Sequence, residues 1–330
     1  MKTFTLLKTL SVLALTAVLS LQAAAQGPAT KPITLIVPYP AGGVVDYQAR
    51  LLAPGLRRSL LHDVVIENIS GAAGAIGLQR LASAPGDSQE MAIGTDSDLL
   101  LAPMVNSDIR FSPAQFRLVG PIASTAMAVV AGPLPLLSLA DTLTQARHDL
   151  KPLSFGNYGM GSNSQLLAQE LTSRSGVNVL HVPYRGIAPL LQDLLSGQVD
   201  MAFVPLAAGI PDLVNAGKLR LLAVASRQRH RNFPQTPTLS EATGLPGLEH
   251  RSWSGLVVPR ATSAAAVARL HTALQETLAD GEVRSQFDKS GLETGPIISV
   301  AQAQAFLDSE IERYRQLLAN KGADGGNARR

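Results

Sequence analysis

The sequence predicts an α/β protein built from two similar units. Three observations lead there. Short apolar runs alternate with helical patterns along most of the chain. The 330 residues exceed one ordinary domain of ~100–200 residues. Two stretches share one layout of strand, Gly-rich turn and helix with a Leu-Leu pair: IVPYPAGGVVDYQARLLA in the first half and LSFGNYGMGSNSQLLAQEL in the second. Strand–helix alternation also predicts a largely parallel sheet.

The first residues form a targeting segment. Lys2 and Lys8 supply positive charge, Leu10 to Leu21 is an apolar core, and Ala23-Ala24-Ala25 fits a cleavage signal. The core is too short for the ~20 residues that span a bilayer. Residues 1–25 therefore read as a signal peptide cleaved near Ala25, which sends the mature chain to the periplasm. Its removal takes the formal net charge from +3 to +1, because Lys2 and Lys8 leave with it.

The elements then follow in order. Ile33 to Val37 is a strand, and a helix starts at Val44 with Val45, Ala49, Leu52 and Leu56 on its apolar face. Pro54-Gly55 should kink or end that helix early, because Pro removes a backbone donor and clashes with the preceding turn. Val64 to Glu67 is a strand, and Gly71 to Gly77 opens the next helix. Met91 to Gly94 is a strand, and Thr95-Asp96-Ser97-Asp98 has N-cap chemistry. In the second half, strands at Leu153–Phe155, Val179–Val182, Val199–Val204 and Leu219–Ala225 enclose helices at Ser164–Ser173, Ala188–Leu195 and Gly209–Ala216. Two long helices follow, Ala264 to Ala279 with Ser263 as N-cap, and Val300 to Ala319. The polar, Gly-rich 322–330 reads as a disordered tail.

Composition removes several function classes. Without cysteine there is no disulfide scaffold, thiolate metal site or Cys nucleophile. Basic residues are scattered apart from Arg227–Arg231 and Arg329-Arg330, which gives no footprint for nucleic acid. The six histidines show no metal-ligand spacing, so neither a metal nor a cofactor is expected. Ser162 lacks the flanking glycines of a nucleophile elbow. His181, at a strand end, reads as a structural hydrogen-bonding residue. Nothing asks for an enzyme, and an exported hydrolase using Ser162 or His181 is the least supported reading.

The glycine turns can do something else. A helix N-terminus carries N–H groups without intrahelical acceptors and the positive end of the dipole. Glycine lets a ligand approach that backbone. Such a turn receives an anion, at ~0.3–1 kcal/mol when exposed and up to ~2 kcal/mol when partly buried. Two turns closing on one carboxylate would bind better than one. Each turn taken alone also reads as a tight turn and nothing more.

Several motifs, in order, carry a resemblance: ITLIVPYPAGGVVDYQAR, VIENISGAAGAIG, GNYGMGS, VNVLHVPYRGIAPLLQDLLSGQVDMAF, AGKLRLLAVASRQR, PQTPTLSEATGLPG and SWSGLVVP. From about Lys31 to Leu318 the chain resembles the periplasmic solute receptors of tripartite tricarboxylate transporters, the Bug receptors. The resemblance implies a two-domain Venus-flytrap fold with crossovers near Ala126–Gly132 and Leu248–Pro259. Domain I would comprise 31–125 and 250–318, and domain II 126–249. It implies a small carboxylate ligand in the cleft, delivery to membrane transporter subunits or, as an alternative, output to a sensor kinase, and a monomer.

Carried over by motif, the ligand contacts would be Tyr39, Ala41, Gly42, Gly43 and Asp46 from domain I, and Asn157, Tyr158, Gly159, Gly161 and Ser162 from domain II. Asp46 has two readings: a first-turn acid suited to the helix dipole, or an acceptor for a ligand hydroxyl, amine or water. Gln165 stands where the family usually has His, and Val204 where it usually has Asp. Tyr158 and Met160 replace smaller or more polar residues. These departures make the cleft less polar and point away from amino acids, toward aromatic or aliphatic mono- or dicarboxylates.

Overall fold

A computed structural model describes residues 31–132, 138–149 and 151–327. The signal-peptide segment and residues 328–330 lie outside the described residues. The body from Ile33 onward holds two sheets that share one strand.

In the first half, β1 (Ile33–Val37), α1 (Val44–Leu60), β2 (Val64–Asn68), α2 (Ala75–Ala82) and β3 (Glu90–Thr95) alternate. Here β1 pairs in parallel with β2 and β3. A π-helical turn, Asp96–Leu101, leads into the single turn α3 (Ala102–Val105). Then comes β4 (Phe116–Ala131), a 16-residue strand. The second half continues with α4 (Leu139–Ala146), β5 (Leu153–Asn157), α5 (Asn163–Ser175), β6 (Val179–Pro183), α6 (Ile187–Leu195), β7 (Met201–Pro205), α7 (Ile210–Asn215), β8 (Arg220–Val224) and α8 (Leu239–Thr243). The chain returns through β9 (Arg251–Pro259) and closes with α9 (Ala264–Ala279), α10 (Gly281–Lys289), β10 (Glu293–Thr294) and α11 (Val300–Asn327).

Strand β4 joins the two sheets. Phe116 to Ala126 pair antiparallel with β9 in the first sheet, while Met127 to Ala131 pair antiparallel with β7 in the second. The return crossing is stitched nearby, where the Met127 N–H donates to the His250 carbonyl at 3.3 Å. The protein is therefore an α/β molecule of the two-domain periplasmic-binding type. Its sheets are mixed rather than largely parallel, because both crossing connections run as strands against their neighbours.

Three further expectations from the sequence change. Helix α1 runs through Pro54 to Leu60, where Leu61 ends it in the left-handed region at φ 55°. Leu52, Leu56 and Leu60 are buried, and Gly55 lies so close to Thr277 of α9 that a Cβ there would sit 2.5 Å from its Cγ2. That packing outweighs the loss of one helical hydrogen bond. Helix α11 extends to Asn327, past the start of the expected tail. His181 on β6 has a buried Nδ1 with no partner among the described residues, and burial holds its imidazole below the ordinary pKa. The structural hydrogen bond expected of His181 is absent among the described residues.

Candidate ligand site in the cleft

The β1–α1 turn places the first part of the site. Pro38 and Pro40 flank Tyr39, and Gly42 turns at φ +83°. Gly43 is the N-cap of α1 in an extended conformation, with no side-chain cap. The N–H groups of Gly43, Val44 and Val45 find no acceptor among the described residues. A 17-residue helix thus starts with unpaired donors.

Asp46 is engaged by the turn itself. Its carboxylate accepts from the Gly42 N–H at 2.9 Å, from Arg50 Nε at 2.8 Å and from Asn68 Nδ2 at 3.0 Å. Burial pushes its pKa up, but these hydrogen bonds outweigh burial and hold the carboxyl below the ordinary range.

A cavity of about 50 Å³ lies against this helix start. It is enclosed by both halves: Tyr39, Gly43, Val44, Val45, Gln48 and Thr95 from the first, the crossing strands around Ser124 and Trp253, and Tyr158, Ile187 and Pro205 from the second. Among the described residues, no Lys, Arg or His lines it. Tyr39 and Tyr158 meet edge to face across it, with ring centroids 6.5 Å apart.

The second Gly-rich turn is arranged differently. Asn157 Oδ1 accepts from the Gly159 N–H at 3.2 Å, and Gln165 Oε1 accepts from the Gly161 N–H at 2.7 Å. Ser162 caps α5, accepting from the Gln165 N–H at 3.3 Å. The Asn163 N–H donates to Ser97 Oγ of the first half at 3.2 Å. Gly159 stands at φ +142°, and a Cβ there would lie 2.8 Å from Ala73 Cα in the first half. This turn packs directly on the opposite half.

Of the residues named from the sequence, Tyr39, Gly43 and Tyr158 line the cavity. Ala41 and Gly42 are exposed beside it. Asp46, Asn157, Gly159, Gly161, Ser162 and Gln165 surround the turns in the bonds just given. Val204 is buried within β7 opposite Ala128, and its neighbour Pro205 reaches the cavity wall.

Beside the cavity lies a buried polar cluster. Asp96, fully buried, accepts from Ser252 Oγ at 2.8 Å and from the Tyr314 hydroxyl at 2.8 Å, and its Oδ2 lies 3.0 Å from His250 Nε2. The Tyr314 hydroxyl also reaches Asn163 Oδ1 at 3.1 Å, so α11 and α5 meet here. Asp98 accepts from the Thr95 N–H at 2.7 Å and from its hydroxyl at 3.0 Å. Burial raises the Asp98 carboxyl to about 8, against the opposing pull of those bonds. Burial, reinforced by Asp98, likewise pushes the Tyr39 phenol well above its ordinary range.

Sequence reasoning missed Gln48, Thr125, Ser252, Trp253 and Ser254 as wall residues, and took Thr95 only as a cap. A signal existed for Gln48. It is a polar residue on the apolar face that Val44, Val45, Ala49 and Leu52 define. The serines of β9 alternate with Trp253, but only the fold shows that this strand backs the cleft.

Among the described residues there is no group of His, Cys, Asp and Glu able to hold a metal, and no helix long and apolar enough to cross a membrane.

The family of the "Tripartite tricarboxylate transporter family receptor" matches residues 48–323. A Pseudomonas sp. (strain P51) protein from the tcbD-tcbE intergenic region is 33% identical over 294 residues, 88% of this chain and 86% of its own. The periplasmic binding protein BugD superposes with a TM-score of 0.82 at 28% identity, over 90% of this chain and 99% of its own. The R. palustris protein Rpa4515, solved with adipate, has a TM-score of 0.82 at 32% identity, over 89% of this chain and 98% of its own. With its fold and most of its length matched in this way, the chain belongs to the tripartite tricarboxylate transporter family receptors as a Bug-type solute-binding protein, not an enzyme.

Proposed function

We propose that the protein is an extracytoplasmic receptor that captures a small carboxylate between its two domains and delivers it to a membrane transporter. One observation carries this reading: Gly43, Val44 and Val45, whose N–H groups have no acceptor among the described residues, line a cavity that residues of both halves surround. They offer an anion main-chain donors at the positive end of a helix, with no cationic side chain needed. A similar protein solved with adipate supports a carboxylate of low functionality. The direct contacts would come from Tyr39, Gly43 and Tyr158. Asp46, Gly42, Asn157, Gly159, Gly161, Ser162 and Gln165 would shape the two turns around them.

In this reading domain I is 31–125 with 250–318, and domain II is 126–249. The chain is exported by its cleaved signal peptide and acts as a monomer. The ligand bridges the domains only when they close, so it shifts the population toward that state. The closed surface is what a transporter subunit meets. Output to a sensor kinase would use the same surface, and crosslinking of the liganded protein in membranes separates the two.

A thermal-shift screen of small mono- and dicarboxylates tests the reading. A ligand at ~100-fold excess over its Kd adds ~2.7 kcal/mol of stability, a readily visible shift. Scattering on the best hit should show compaction. A screen in which amino acids outrank every simple carboxylate, or in which no carboxylate moves the melt, sinks the proposal.

A further inference from the structure

Gln48 is a buried amide in the wall of an otherwise mainly apolar cavity. It is 3% exposed and lines the cavity one helical turn beyond Val44, on the same face of α1. Its Oε1 accepts from Ser254 Oγ at 2.7 Å. Its Nε2 has no acceptor among the described residues and so presents two protons without a partner.

The other polar side chains of the wall are engaged. The Thr95 hydroxyl donates to Asp98, Ser252 to Asp96, Thr125 to the carbonyls of Leu206 and Gly291, and Trp253 Nε1 to Glu310. Ser124 Oγ accepts from the Arg251 guanidinium. Apart from Ser124, which accepts from Arg251 and keeps its own proton, these groups have placed their protons on the protein.

We infer that Gln48 is a specificity-determining residue: its Nε2 donates to a second oxygen of the ligand, one helical turn from the carboxylate held at the start of α1. This rests on the carboxylate reading of the cleft and deepens it. The ligand class it selects is a carboxylate whose far end carries a hydrogen-bond acceptor. An ammonium at that end would meet two N–H protons and be rejected. With Oε1 on Ser254, Nε2 is the end left for the ligand; the Ser254 hydroxyl also reaches the Ala123 carbonyl at 3.4 Å and accepts as readily as it donates, so the amide orientation is what the test decides. Were the amide turned round, Oε1 would face the cavity and the preference would invert.

The test is calorimetry of the wild type, Gln48→Leu and Gln48→Glu with three probes: adipate, its mono-acid analogue hexanoate, and 5-aminovalerate, in which an ammonium replaces one carboxyl. The wild type should prefer adipate over 5-aminovalerate. Gln48→Leu should weaken adipate about tenfold or more, the scale of losing one buried hydrogen bond, and leave hexanoate within about threefold. Gln48→Glu places a carboxylate where the donor was, and should shift the adipate to 5-aminovalerate ratio by about 100-fold toward the amine.

Each other outcome overturns the inference. A wild type that prefers 5-aminovalerate shows that Oε1 faces the ligand. Equal losses of adipate and hexanoate in Gln48→Leu show that Gln48 only supports the wall through Ser254. An unchanged ratio in both variants shows no contact, with the carboxylate reading intact. If the wild type binds neither adipate nor hexanoate nor any shorter homologue, the carboxylate reading falls, and this inference with it.

Discussion

The two Gly-rich turns look alike in sequence and do different things in the structure. At the first, α1 begins without a side-chain cap, and three N–H groups have no acceptor among the described residues. At the second, Ser162 caps α5, Gln165 takes the Gly161 N–H, and Ser97 takes the Asn163 N–H from across the cleft. One helix entrance stays open beside a cavity. The other is closed off and packs on Ser97 and Ala73 of the first half. A helix N-terminus is an anion site only while its donors are free. Composition cannot distinguish the two cases, since both turns carry two glycines and enter an apolar helix.

The comparison is most exposed at Gly159. A Cβ there would lie 2.8 Å from both Ala73 Cα and Ala73 Cβ, and 3.0 Å from the Ala73 nitrogen, so the obstacle is largely backbone. Gly159→Ala should therefore hold the domains apart. We expect carboxylate affinity to fall about 100-fold, ~2.7 kcal/mol, and scattering to show no compaction on adding ligand. Affinity within threefold of wild type would mean that the second turn does not clasp.

Next in size is Tyr314→Phe. The hydroxyl it removes is shared between Asp96, just after β3, and Asn163 at the start of α5. Its loss leaves the buried Asn163 Oδ1 without a donor and Asp96 with one donor fewer, at ~1–3 kcal/mol. Urea denaturation should show that loss with the m-value unchanged. A change below 0.5 kcal/mol would show that the cluster relaxes around the missing hydroxyl.

Local pattern explains why parts of this were legible. Helix α9 was readable at both ends, because Ser263 caps it and the apolar period stops at Ala279. The α/β alternation was readable from strand length and turn residues. The shared strand β4 was not, because a 16-residue strand changes partners midway and each half looks like an ordinary short run. Nor was the extent of α1, where tertiary packing of Gly55 on Thr277 overrides the local signal of Pro54. The cluster of Asp96, His250 and Tyr314 joins residues 154 and 218 positions apart. No motif spans such distances. Asp46 was open to two readings, and its three hydrogen bonds to the turn support the local one.

The smallest effect should come from the matching change in the first turn, Gly42→Ala. Gly42 also sits at positive φ, +83°, so an alanine there is strained. Nothing lies within 4 Å of the added Cβ, however, so strain is the whole penalty. A left-handed residue with a Cβ costs ~1–2 kcal/mol. The Gly42 N–H still donates to Asp46, and the donors at Gly43, Val44 and Val45 are untouched. The melt should drop modestly while the Kd for adipate stays within about threefold. Set against Gly159→Ala, the pair separates two roles of glycine that share one dihedral sign. At Gly42 the backbone needs the freedom to turn; at Gly159 the opposite domain also needs the space. A Gly42→Ala protein that lost affinity as steeply as Gly159→Ala would erase that distinction, because it would show that the first turn must itself deform when the ligand enters.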